Sequence, residues 1–251
     1  MAPLAAGSIP GSAPRTARER VHEQVTSEIL AVARTHLARD GAAALSLRSI
    51  ARDLQMAPSA LYRYFSGRDA LLSALILGAY ESVAEAAAEA SDAAYASAES
   101  AESEAERWMA VPRAVRSWAL GHPHEWGLIF GSPVPGYEAP QETVVPYARL
   151  AAALIRPIAA AQRSTTANDS GTVVAGYPAT DALGAALEPV SEALLPGAQT
   201  ATVVAAMQAW TMLIGLISLE LFGHWRNTVL DPQLFFEATV RQAGWMAGLR
   251  P

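Results

Sequence analysis

Apolar residues recur along this chain at three- and four-residue intervals, and no stretch alternates apolar and polar positions as a half-buried strand would. The pattern predicts an all-α protein. Val21, Val25, Ile29, Val32, Ala33 and Leu37 share one face of a first helix over 18–39, which Asp40-Gly41 ends. Ser46 stands where a cap would open a short helix over 47–54. The turn Gln55-Met56-Ala57 then leads to Pro58, a residue suited to the first turn of a further short helix, which ends near Phe65. Ser66-Gly67 breaks the pattern, and an Ala-rich helix runs from Arg68-Asp69 towards Ser91. Helices are also expected over 99–120, 124–130, 141–162, 181–195, 200–225 and 232–249, with Pro112, Pro146, Pro157 and Pro189 marking or bending turns. Residues 163–178 are polar and glycine-containing and read as a mobile loop.

The segment Ser46-Leu47-Arg48-Ser49-Ile50-Ala51-Arg52-Asp53-Leu54-Gln55-Met56-Ala57-Pro58-Ser59-Ala60-Leu61-Tyr62-Arg63-Tyr64-Phe65 carries the chemistry. Two short helices joined by a three-residue turn form a helix-turn-helix. Leu47, Ile50, Ala51 and Leu54 supply the inner face of its first helix, and Leu61 and Phe65 that of its second. Ser59, Tyr62 and Arg63 are left to face outward. Hydroxyl and guanidinium groups can bond phosphates or base edges.

This stretch, continued by Arg68-Asp69-Ala70-Leu71-Leu72, resembles the DNA-binding domain of the tetracycline-repressor (TetR) family, from Val21 to about Leu77. The resemblance implies double-stranded DNA with a palindromic operator as partner. It implies that Ser46, Arg48, Pro58, Ser59, Ala60, Tyr62, Arg63 and Tyr64 lie at or near DNA, and that Arg68 lies beside a phosphate. Two positions depart from the family pattern. Gln55 stands where glycine is frequent, and Ala57 stands where Ser or Thr usually caps the second helix. The expected organisation is a disordered tail over 1–17, a three-helix DNA-binding head over 18–66, and a larger helical-bundle domain for ligand binding and dimerisation over 67–251. A structural three-helix module without DNA contact is the plainer alternative.

Charge separates those two readings. The net charge is −6, but residues 1–70 hold nine arginines against six acidic residues, and the remainder nine against eighteen. A basic head on an acidic body fits a protein that meets phosphate only at the head. There is no lysine.

The segment from His122-Pro123-His124-Glu125-Trp126-Gly127 to Gly136-Tyr137 is similar to a TetR C-terminal subfamily with a Trp-His-Gly-type signature, in which it lies beside the ligand cavity. A pocket in a helical body needs apolar walls with few polar anchors. Trp108, Met109, Trp118, Trp126, Phe130, Tyr147 and Trp210 are the candidate walls, for an unidentified effector that is lipophilic or planar. Ordinary core packing explains each of them singly. The last two helices are expected to form the homodimer interface, as the resemblance implies. Val203, Met207, Trp210, Ile214, Ile217 and Leu221 recur at helical spacing, with Phe235, Val240 and Trp245 on the second helix.

Several classes are set aside. With no cysteine, disulfides, thiol nucleophiles and Cys-ligated zinc are excluded. His122, His124 and Glu125 have no evident third-ligand geometry and read as capping and core groups, so no metal or other cofactor is expected. No Ser-His-Asp order or phosphate-binding glycine loop appears. The apolar window 202–222 is long enough for a membrane span, but Gln208, Gly215 and Glu220 lie inside it and favour a buried or dimer-forming helix. The reading is a cytoplasmic, ligand-responsive repressor released from its operator by a small molecule. The rivals are a regulator whose ligand is another protein or promotes DNA binding, and, more remotely, a helical enzyme.

Overall fold

The computed structural model describes residues 16–96, 103–138, 141–166 and 180–249. The expected tail therefore lies almost wholly outside the described residues. So does the predicted loop from 167 onward, while its first residues continue a helix.

Ten α-helices account for the fold among the described residues: α1 (Ala17–Asp40), α2 (Leu47–Asp53), α3 (Pro58–Leu61), α4 (Arg68–Ala96), α5 (Glu104–Gly121), α6 (Pro123–Phe130), α7 (Val144–Thr166), α8 (Asp181–Leu194), α9 (Thr200–Leu221) and α10 (Pro232–Met246). A 3₁₀ turn at Ala42–Ala44 joins α1 to α2, and another at Gln141–Thr143 precedes α7.

Local chemistry sets the boundaries. α1 opens with a capping box: the Thr16 hydroxyl accepts from the Glu19 amide at 3.2 Å, and the Glu19 carboxylate accepts from the Thr16 amide at 2.8 Å. It closes at Gly41, whose φ of 77° and ψ of 167° fall in a region that only glycine enters freely. Ser46 does occupy the cap position of α2, but its hydroxyl makes no capping bond there. Asp231 caps α10 by accepting from the Leu234 amide at 2.9 Å, with Pro232 in the first turn.

The apolar residues form two clusters. The smaller joins α1, α2 and α3 to the start of α4, through Ile29, Ala33, Ile50, Leu61, Phe65, Leu71, Leu72 and Leu75. It reaches Ile76, so the head packs as one unit well past the Ser66-Gly67 break where the sequence suggests a boundary. The larger cluster fills the body between α4, α5, α7, α9 and α10. α4 belongs to both. With 29 residues it spans about 44 Å, so any tilt of α4 moves head and body together.

Polar clamps fix the body helices. Arg116 on α5 forms a two-pronged pair with Glu220 on α9 at 2.8 and 2.6 Å, largely shielded from water. Arg113 on α5 grips Glu237 on α10 in the same way, at 2.8 and 2.7 Å. The Trp108 indole donates to the Val240 carbonyl at 3.1 Å and lies against Gly244, where no side chain intervenes. α4 and α9 are both long and apolar enough, by length and composition alone, to cross a membrane. Each nevertheless buries one side among the other helices of the body.

Candidate nucleic-acid interface

The geometry of α2 and α3 follows from the turn between them. Gln55 adopts a positive φ of 55°, the left-handed conformation suited to the residue after a helix end. Beside it, the Met56 amide donates to the Ala51 carbonyl at 2.8 Å, and the Gln55 amide to the Arg52 carbonyl at 3.1 Å. This paired closure stops α2 and aims the chain into α3. No side chain caps α3, because Ala57 holds the cap position. Its regular α-helix ends at Leu61, earlier than the sequence pattern suggests. Turns continue through Phe65 by bonds from Arg63 to Ala60 and from Tyr64 and Phe65 to Leu61.

Burial sorts the residues of this region. Leu61 is fully buried and Phe65 nearly so, which anchors one side of the segment. Pro58, Ser59 and Arg63 are exposed, and Tyr62 is half exposed. Arg48 on α2 is exposed as well, and neither Arg48 nor Arg63 has an ion-pair partner among the described residues. Ser46 and Ala60 are half-buried. Tyr64 is held differently from its neighbours: its ring stacks on His22 of α1 at 4.8 Å, with 17° between the planes. Arg68, at the first position of α4, donates to the Ala42 carbonyl at 3.0 Å and lies 3.6 Å from Asp69.

Two features of the head had no sequence signal. His36, buried on α1, donates to the Asp53 carboxylate on α2 at 2.7 Å. That bond holds the Asp53 carboxyl below the usual carboxylate range. Arg34 of α1 pairs with Glu125 of α6 at 3.0 Å, and its guanidinium passes over Gly78 of α4, where an added Cβ would lie 3.3 Å away. The partners are 91 positions apart, a spacing no local pattern reveals.

The seven candidate wall residues divide into two groups. Trp126, Phe130, Tyr147 and Trp210 meet in one aromatic cluster with Tyr80, which the sequence reading missed. Ring centroids are 4.5 Å apart for Trp126–Phe130 and 5.4 Å for Tyr147–Trp210. Tyr80 meets Phe130 and Tyr147 edge-on at 5.9 and 6.0 Å. Burial pushes the phenols of both Tyr80 and Tyr147 upward, so both stay neutral, and Tyr80 donates to the Ile129 carbonyl at 3.2 Å. Trp108, Met109 and Trp118 lie elsewhere in the core. Trp118 donates to Ser82 at 2.9 Å and stacks on His122, whose ring contacts the Trp118 carbonyl at 2.9 Å.

On the last two helices, Val203 and Ile217 are buried inside the subunit, so their side chains do not reach a surface a second copy can touch. Met207, Trp210, Ile214 and Leu221 are half-buried. α9 is apolar on both sides, and periodicity alone does not say which side faces inward. The outward stripe runs instead through Thr211 and Leu219 on α9. It continues on α10 through Leu234, Phe235, Trp245 and Met246, of which Phe235 and Trp245 were expected.

Comparison with known proteins agrees with this architecture. Residues 29–75 match the family described as bacterial regulatory proteins, tetR family, and residues 108–243 match the tetracyclin repressor-like C-terminal domain. The HTH-type transcriptional regulator Rv1816 of Mycobacterium tuberculosis is 36% identical over 227 residues, covering 89% of this chain and 92% of its own. The HTH-type transcriptional regulator Mb1846 of Mycobacterium bovis matches equally. Among solved structures, the regulatory protein SCO4313 is 34% identical with a TM-score of 0.70, covering 91% of this chain and 98% of its own. A tetR-family regulatory protein from Rhodococcus RHA1 shares the fold, with a TM-score of 0.56 at 19% identity over 91% of this chain and 99% of its own. With a helix-turn-helix head, a matching helical body and relatives that are regulators rather than enzymes, the chain belongs to the TetR family of DNA-binding transcriptional regulators.

Proposed function

We propose that the chain is a ligand-responsive repressor, in which two copies hold a palindromic operator and a small molecule in the body releases them. The observation that carries the reading is the division of the α3 segment: Leu61 and Phe65 are sunk in the head core while Ser59, Tyr62 and Arg63 stand in solvent. The exposed Tyr62 beside an arginine with no ion-pair partner among the described residues offers the hydroxyl and guanidinium groups that suit a phosphate-lined groove. Tyr62 and Arg63 are the base-reading pair, and Ser59 and Arg48 contact the backbone. Arg68 serves a phosphate from the start of α4 while bracing the Ala42 turn. Tyr64, stacked on His22, positions the others.

The outward apolar stripe of α9 and α10 supports a homodimer built on these helices. Two heads then meet half-sites one helical turn, about 34–36 Å, or a multiple apart. The aromatic cluster of Tyr80, Trp126, Phe130, Tyr147 and Trp210 supports a lipophilic or planar effector. Tyr80 sits on α4, so an effector touching it acts on the helix shared with the head. Such a protein works in the cytoplasm, where the DNA is.

The test is binding of the full-length protein to promoter fragments, beginning with the region upstream of its own gene. Arg63→Ala should change which sequences bind. Arg68→Ala should weaken all of them and lower the salt slope by about one unit. An effector that releases the protein must bind less tightly, by the same factor, when operator is present. Equal effector affinity with and without operator refutes release by ligand, and failure to bind any fragment at low ionic strength refutes the DNA assignment.

A further inference from the structure

Where the head leans on the body, a cleft of about 430 Å³ opens between the end of α1, α6 with the chain that follows it, and the end of α9. We propose that this cleft is a second ligand site, separate from the aromatic cluster of the body, and that it takes a small one- or two-ring molecule bearing a single hydroxyl or similar hydrogen-bonding group.

Three observations carry the assignment. The first is size and place: the volume lies within the range of small-molecule sites, and such sites favour the junctions between domains. The second is the lining. Leu37 and Ala42 come from the head, Leu128 and Val134 from the α6 segment and Phe222 from just past the end of α9, giving a half-open cleft with mainly apolar walls. Among the described lining residues only His124 and Ser132 add polar side chains, both exposed and neither engaged by another described protein group. Those walls suit flat apolar rings, and the imidazole and hydroxyl suit one polar substituent. Among the described residues no charged side chain lines the cleft, so a strongly ionic ligand is disfavoured.

The third is its connection to the DNA-binding end. Ala42 sits in the 3₁₀ turn whose carbonyl receives the Arg68 guanidinium at 3.0 Å. Arg34 and Glu125 tie α1 to α6, two of the elements that line the cleft, at 3.0 Å. A molecule wedged against Ala42 therefore presses on the partner of Arg68. Occupancy and DNA affinity are coupled through that turn, to the extent that the ligand prefers one position of the head.

The experiment uses the full-length protein and 2-naphthol, a two-ring molecule with one hydroxyl. Carbon-labelled methyl groups of Leu37, Leu128 and Val134 should shift in a saturable titration, and Ser132→Trp, a change at an exposed wall, should weaken binding by tenfold or more. Tyr147→Ala, in the aromatic cluster, should leave that titration unchanged. The reading is overturned if no saturable shift appears, if the shifts centre on Trp126, Tyr147 and Trp210, or if Ser132→Trp binds as before. Should Ser132→Trp fold poorly, His124→Ala in the same titration replaces it, with a three-fold or greater loss expected and no loss overturning the site. Affinity for a random-sequence duplex at low ionic strength, measured with and without 2-naphthol, tests the coupling. A change that disappears in Arg68→Ala supports it, and equal affinities overturn it. None of these outcomes depends on finding the effector or the operator.

Discussion

Gly244 on α10 is a position where one added methyl group should disturb the core of the body. A Cβ placed there lies 2.9 Å from both Cδ1 and Nε1 of Trp108. Carbon contacts are comfortable near 3.5–4.0 Å, so the indole must retreat by roughly 0.6 Å or more. It has nowhere to go: Trp108 is 1% exposed and donates to the Val240 carbonyl at 3.1 Å, one turn earlier on the same helix. Forcing the ring outward costs about 1–3 kcal/mol in overpacking. Stretching the indole bond leaves a buried donor short of its partner, about 1–3 kcal/mol more. Against this stands the gain of about 1 kcal/mol from replacing helical glycine by alanine. Gly244→Ala should therefore destabilise the protein by about 1–5 kcal/mol. The assay is chemical denaturation at fixed protein concentration, since association adds to apparent stability. A double-mutant cycle with Trp108→Leu isolates the contact: removing the indole should abolish most of the penalty. If Gly244→Ala is as stable as the parent, or if the two changes are additive within about 0.5 kcal/mol, the steric account of α5 against α10 is wrong.

Gln55→Gly should stabilise the protein by about 0.5–1 kcal/mol, because it relieves a left-handed side-chain residue at φ 55°; a loss of stability in the same denaturation assay contradicts it. Arg116→Ala should cost about 3–5 kcal/mol, since it strands the shielded Glu220 carboxylate without its partner; a loss below about 1 kcal/mol means the pair behaves as a surface one. Asp53 is held below the usual carboxylate range by its bond from His36, so its contribution is complete above that range and is lost as pH falls through the depressed value. Melting temperatures across the acid range should fall less steeply in Asp53→Asn than in the parent, and parallel curves count against the clasp.

Much of this protein is legible in its residues alone, because helices are written locally. The i, i+4 spacing of Leu61 and Phe65 determined which side of the α3 segment is buried, and thereby that Ser59, Tyr62 and Arg63 stand outside. Gln55 was recognisable as a strained turn residue and Ala57 as a missing cap, since both depend on a few neighbouring positions. What α9 does with its apolar surface was not legible: with apolar residues on both sides, its period does not tell inside from outside, and only the packing of α5, α6, α7, α8 and α10 around it put Val203 and Ile217 within the subunit. Contacts across long separations were equally hidden. Arg34 finding Glu125, Tyr80 joining the aromatic cluster and Arg68 reaching the Ala42 carbonyl all require the chain to have folded back on itself. Local spacing thus determined the elements and their polar faces. The tertiary structure alone decided which faces meet, because that depends on how helices distant in sequence exclude water from one another.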